Sequence, residues 1–165
     1  MDFRLCDHHP DTAAPESSNG CSAHTDYGPF SIIFQDGTPG LELEDADGKW
    51  NAVPGDATVI VTGWCALVLS GGSIHAARHH VRRIPGVRRF SAVLFVAPDT
   101  SMKLKPLDGV KPVQSFSDRI MRGDIDVDHF KEAMGKRWSY RERNEDMANG
   151  ASATQDEDIE KLVWG

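Results

Sequence analysis

Between residues 30 and 97 the chain is cut into short apolar and β-branched runs by turn residues at fairly even spacing, and nothing else in it limits the fold as strongly. The runs fall at 31–35, 41–44, 50–53, 57–62, 79–83 and 89–97, with shorter apolar stretches at 2–6 and 66–69. D-G-T-P-G at 36–40, D-G at 47–48, P-G-D at 54–56, S-G-G at 70–72 and P-G at 85–86 supply the turns. In 2–6 the apolar residues Phe3 and Leu5 alternate with polar neighbours, as in a half-buried strand. About eight short strands with no helices between them predict an all-β sandwich or barrel of the jelly-roll kind.

Within this frame the stretch C-S-A-H-T-D-Y-G at 21–28 reads as the end of a strand. Strand side chains repeat with period two, so His24 and Asp26 point to one face. An imidazole and a carboxylate on one face can chelate a divalent transition metal, and a second imidazole from a distant strand completes the 2-His-1-carboxylate set of non-haem Fe(II). The triplet alone is also what a strand-end histidine beside a solvated aspartate looks like. The downstream pattern carries the argument. His75, His79 and His80 are the candidates for the second imidazole, and on a strand His79 and His80 face opposite ways. Ten residues after His79, Arg89 and Ser91 share a face of the last strand. A planar guanidinium beside a hydroxyl is a receptor for a carboxylate.

Length and charge narrow the partners. A chain of 165 residues, 39% hydrophobic and 26% charged, is sized for one globular domain with appendages. The net charge of -7 offers nucleic acid or an anionic membrane no basic stripe, and no apolar run is long enough to span a bilayer. Cys6, Cys21 and Cys65 lack metal-ligand spacing and read as reduced, packed thiols of a cytoplasmic protein. The segment 11–20 reads as a loop, and 101–112, with its lysines and prolines, as a connector. Phe116, Ile120 and Met121 then fit a short helix ended by Gly123, and Asp128 fits as the cap of a longer one carrying Phe130, Met134 and Trp138. Residues 144–158 read as a mobile acidic tail, after which 159–164 either docks back as an apolar plug or hangs free.

Taken together, A-H-T-D-Y-G at 23–28, F-Q-D-G-T-P-G-L-E-L at 34–43, G-K-W at 48–50, V-P-G-D-A at 53–57, S-G-G at 70–72, H-H-V at 79–81 and R-F-S at 89–91 resemble, in order and spacing, the Fe(II)/2-oxoglutarate-dependent dioxygenases of the isopenicillin N synthase and plant flavonoid-oxygenase type. The resemblance implies a mainly β chain: a double-stranded β-helix (jelly roll) core over 1–100, a connector and packing helices over 101–143, and the tail over 144–165. It implies His24, Asp26 and His79 as Fe(II) ligands, with 2-oxoglutarate and O2 as co-substrates. Arg89 and Ser91 match the motif that holds the far carboxylate of 2-oxoglutarate. The implied outcome is hydroxylation, desaturation or ring formation on a small organic metabolite, a role in secondary metabolism.

The chain departs from this family in two places. Where the family has N-Y-Y-P, this chain has D-H-H-P at 7–10, which puts His9 at the tyrosine that helps seat the co-substrate. The family's long N-terminal region is also missing ahead of 2–6, which would bare an apolar sheet face and call for a homo-oligomer or a partner chain. The isopenicillin N synthase branch uses the same R-x-S pair for its substrate without 2-oxoglutarate. An oxidase or isomerase of that kind, and a non-catalytic interaction protein on the same core, therefore stand as alternatives.

Overall fold

The structure, a computed structural model, describes residues 1–10, 19–142 and 154–165, with the backbone alone at 19, 136–142 and 154–158. Most of the segments 11–20 and 144–158, and the Trp138 side chain, lie outside the described residues.

Among the described residues eight strands form in chain order: β1 (Asp2–His8), β2 (Asn19–His24), β3 (Phe30–Gln35), β4 (Leu41–Glu44), β5 (Trp50–Ala52), β6 (Val59–Thr62), β7 (His79–Arg82) and β8 (Arg89–Val96). They make two 4-stranded sheets, ordered β1-β8-β3-β6 and β2-β7-β4-β5, whose strand pairs are all antiparallel. Ile33, Val61 and Val93 of the first sheet meet Leu41 of the second, so side-chain packing joins the two layers. The double-stranded β-helix, or jelly roll, expected from the resemblance is corrected here. Neither sheet closes into a barrel; β1 and β6 remain the edges of one, and β2 and β5 the edges of the other. Closure depends on which edges pair, and period-two alternation carries no information about edges.

Two local expectations also change. The run at 66–69 belongs to a helix, α1 (Trp64–Leu69), set between β6 and β7. A short, wholly apolar run gives no periodicity to separate strand from helix, and here Trp64 to Val68 are all buried. In β1 the polar residues, not Phe3 and Leu5, turn inward: register pairs Cys6 with Ser91 and His8 with Arg89, and Arg4, Cys6 and His8 line the space between the sheets. Phe3 and Leu5 are exposed on the outer face together with Phe34, Ile60 and Phe90.

The C-terminal part adds α2 (Asp118–Arg122), α3 (Val127–Glu142) and α4 (Thr154–Trp164). The Ser117 hydroxyl accepts from the Ile120 amide at the start of α2, and Gly123 ends that helix in the left-handed region at φ 69. The cap of α3 is Asp126 rather than Asp128, since its carboxylate accepts from the His129 amide at 2.9 Å. Ile159 and Val163 of α4 are buried against Phe116, Ile120, Phe130 and Met134, so the segment 159–164 docks. Trp64, Cys65, Leu67 and Val68 of α1 belong to this same cluster, and α1 thereby joins the helices to the β layers.

Candidate metal centre

His24 is the last residue of β2 and His79 the first of β7, and the two are register partners. Their rings lie 4.3 Å apart between centroids. Asp26, two residues beyond β2, sets a carboxylate oxygen 3.6 Å from His24 Nε2. One ligand atom from each of the three lies within 4.8 Å of the others, and all three residues are buried. The structure thus brings together the His24, Asp26 and His79 singled out in the sequence. His80 faces the other way, stacked on Trp50 and bonded to Glu42, and His75 is exposed.

Backbone carbonyls set the tautomers. His24 Nδ1 donates to the Ser22 carbonyl at 2.8 Å and His79 Nδ1 to the Ala77 carbonyl at 3.1 Å. A carbonyl only accepts, so Nδ1 carries the proton in both rings, and Nε2 is the nitrogen with the lone pair. Two neutral imidazoles and one carboxylate, oriented and shielded from water, fit a divalent iron with positions left open.

The segment carrying Asp26 is held from below. The amides of Gly63, Trp64 and Cys65, at the start of α1, donate to the carbonyls of Pro29, Asp26 and Tyr27. Only glycine fits at 63, because a Cβ there would sit 2.4 Å from both the Asp26 and the Gly28 carbonyl oxygens. The side chain has its own support, which the sequence did not reveal: Ser31, 1% exposed on β3, donates its hydroxyl to Asp26 Oδ2 at 2.5 Å. Only the packing of β3 beneath the segment after β2 shows this partner. Ser31→Ala is expected to weaken metal binding by about 10–100-fold, as loss of an outer partner of a ligand does. A metal titration against the unmodified chain checks it.

A cavity of about 200 Å³ opens from the triad and runs between the sheets to Arg89 and Ser91. Arg89 is 3% exposed. Its Nη2 donates to Gln35 Oε1 at 2.9 Å and its Nη1 to Ser91 Oγ at 3.3 Å. Its Nε is buried without a hydrogen-bond partner, and it makes no ion pair among the described residues. Burial pushes the guanidinium below its ordinary range, yet arginine stays charged. Its hydrogen-bond partners are neutral, and the Asp36 carboxylate acts on it only through space, so this buried cation is a receptor for an anion.

His9, the residue expected at the co-substrate, does not line this cavity; its neighbour His8 does. The His9 carbonyl accepts from Arg83 instead. Cys6 and Cys21, half-buried, line the cavity too, whereas Cys65 is deep in the helical core and burial pushes its thiol up to about 12. No described helix is long and apolar enough to cross a membrane.

Comparison with known proteins places this site in context. The sequence model of the 2OG-Fe(II) oxygenase superfamily matches residues 3–98. Scopoletin 8-hydroxylase of Arabidopsis thaliana is 33% identical over 117 residues, covering 66% of this chain and 33% of the relative. The 2-oxoglutarate-dependent dioxygenase citB of Monascus ruber is 34% identical over 110 residues, 62% of this chain and 33% of the relative. The chain thus spans about a third of the length of the curated relatives it matches. Among solved structures, the 2-oxoglutarate complex of dioxygenase for auxin oxidation 1 from Arabidopsis thaliana is similar with a TM-score of 0.57 and 25% identity, over 67% of this chain and 43% of that one.

Proposed function

The chain belongs to the 2OG-Fe(II) oxygenase superfamily, and on that footing we propose that it is an oxygenase of the isopenicillin N synthase and plant flavonoid-oxygenase type, using Fe(II), 2-oxoglutarate and O2 on a small organic metabolite. One observation carries the reading. A buried His-Asp-His donor set and a buried guanidinium with no ion-pair partner among the described residues line one cavity. Leaving a charge buried and unpaired costs several kcal/mol, roughly, and a ligand carboxylate offsets that cost.

In this reading His24, Asp26 and His79 hold the iron. The iron, when bound, supplies the redox chemistry that couples decarboxylation of a keto acid to oxidation of a C–H bond. The protein supplies position. Arg89 presents a planar fork to the far carboxylate, held in place by Gln35, and Ser91 adds a hydroxyl. Ile33, Leu41, Val81 and Val93 line the cavity between the two ends with apolar surface, which excludes water and strengthens the charge interactions within. Metal donors and a buried cation lining one cavity suit a ligand with two acid groups better than a monoacid. For the substrate, the support is the company of relatives: one of them is named for hydroxylating scopoletin.

The test is an anaerobic titration of the purified chain with Fe(II) and 2-oxoglutarate, following the visible charge-transfer band of a chelated keto acid. The band is expected in the unmodified chain and absent in His79→Ala. A folded, iron-loaded chain without the band would remove 2-oxoglutarate and favour an oxidase or isomerase in which Arg89 grips the substrate. A folded chain that binds no iron would remove the enzyme reading.

A further inference from the structure

The outer face of the sheet β1-β8-β3-β6 is apolar from edge to edge and open to water. Register runs one row across all four strands as Phe3, Leu94, Ile32 and Ile60, and in the next row Leu5 and Phe34 flank Ala92. Phe3 is 57%, Leu5 78% and Ile60 65% exposed, and Phe34 and Phe90 are exposed as well. A large apolar side chain has about 200 Å² of surface, so these five leave on the order of 500–600 Å² in water. The half-buried Ile32, Ala92 and Leu94 between them add to that figure. The largest apolar patch of a monomer is usually about 300–600 Å², and a standard interface takes about 800 Å² from each partner.

The charges at one rim of this face already have partners. Asp7, opposite Phe90, pairs with Arg88, whose guanidinium lies 4.4 Å from the Phe90 ring centroid. Asp36 accepts from the Thr38 and Phe90 amides. A partner of complementary charge finds little unpaired field to read there, whereas an identical face sets apolar rows against apolar rows. Two twisted sheets pack face to face at about 10 Å with their strands about 30° apart. The chain's own stretches outside the described residues, 11–18 and 143–153, hold one large apolar side chain, Met147, which is too little to cover the face.

We propose that this outer face is the contact between two copies of the chain, stacked face to face about a two-fold axis. A face that meets itself about such an axis closes at two copies and leaves no further patch to recruit a third. The strand that gains most is β1. It is bonded on one side only, to β8, and its outward Phe3 and Leu5 stand in water while Arg4, Cys6 and His8 on its other face line the cavity. The second copy therefore packs down the strand that forms one wall of the cavity beside the triad.

The experiment is sedimentation velocity of the full chain from about 1 to about 100 μM, which spans the weaker affinities found for interfaces of this size. The expected result is a reversible shift from the chain mass of 18.2 kDa to twice that mass, with half-dissociation at about 10 μM or below. Leu5 and Ile60 sit on the two edge strands of the sheet. Leu5→Lys and Ile60→Lys are each expected to weaken the dimer by about 30-fold or more, because each places an ammonium group without a partner inside the contact. Both side chains are exposed, so circular dichroism and Fe(II) binding of the variants are expected to match those of the unmodified chain, which separates loss of the contact from loss of the fold. Met121→Lys, at an exposed position on α2, is expected to leave the dimer unchanged. A monomer at about 100 μM would overturn the proposal and leave the face to a different chain. A dimer that neither sheet variant weakens, or that only one of them does, would place the contact elsewhere or at a single sheet edge, and either result overturns the face-to-face arrangement. Assemblies that grow past two copies would overturn it too.

Discussion

Arg89→Ala is expected to lower affinity for 2-oxoglutarate by about 10²–10³-fold while leaving iron binding as it was. The size follows from the site. The guanidinium is buried, held by Gln35 and Ser91, and has no ion-pair partner among the described residues. A carboxylate that enters such a site loses its water, and without the arginine it is left desolvated and unpaired. Truncating one member of a buried charge pair costs about 3–5 kcal/mol, and the lower part of that span, about 3–4 kcal/mol, corresponds to the stated range of affinity. Arg89→Lys should recover part of the loss, because a point charge returns without the planar fork. Titration of the iron-loaded variants under anaerobic conditions reads both numbers. An Arg89→Ala chain with unchanged 2-oxoglutarate affinity would take Arg89 out of the site.

Asp26→Ala is expected to have the other large effect, lowering iron affinity by more than about 100-fold, beyond what loss of an outer partner costs. Asp26 supplies the only negative charge among the three donors, and both of its carboxylate oxygens have work. One lies 3.6 Å from His24 Nε2, and the other accepts from Ser31. Replacement leaves two neutral imidazoles to hold a divalent ion, with no anion to offset its charge. His75→Ala serves as the control, since His75 is exposed and outside the triad. Iron content after gel filtration, with circular dichroism to show that each variant folds, decides it. Equal iron in Asp26→Ala and in the unmodified chain would dissolve the proposed centre.

How far the sequence reached can be read from the same residues. His24 and Asp26 were legible as a pair at a strand end, although Asp26 lies beyond β2 rather than on it, and alternation turned His79 and His80 opposite ways while the family resemblance picked out His79. Most of the strands were legible from turn chemistry. The inward face of β1 was not, because a strand that lines a polar cavity end reverses the usual rule that apolar residues turn in. Phe3 and Leu5 sit outside while Cys6 and His8 sit inside, so that His8 and not His9 lines the cavity. Helix α1 was hidden in an apolar run with no period to read. Ser31 was hidden because its partner lies five residues away, across a chain reversal that only tertiary packing defines. The openness of the two sheets was hidden because edges leave no mark in alternation.

The amides that open α1 have an effect beyond orienting Asp26. Through the carbonyls of Asp26, Tyr27 and Pro29 they fasten the donor segment to a helix whose own side chains are shared with Phe116, Phe130, Ile159 and Val163. Occupancy of the donors and cohesion of the helical core are therefore thermodynamically linked. An ion that binds only the folded arrangement stabilises it by RT ln(1 + [L]/Kd), and that stabilisation spreads to every element folding in the same cooperative unit. The linkage runs backward as well. A lesion in α4, far along the chain from His24, loosens α1 and shows up as a weakened grip on the ion, so that a defect in the last helix would be mistaken for a defect in the ligands.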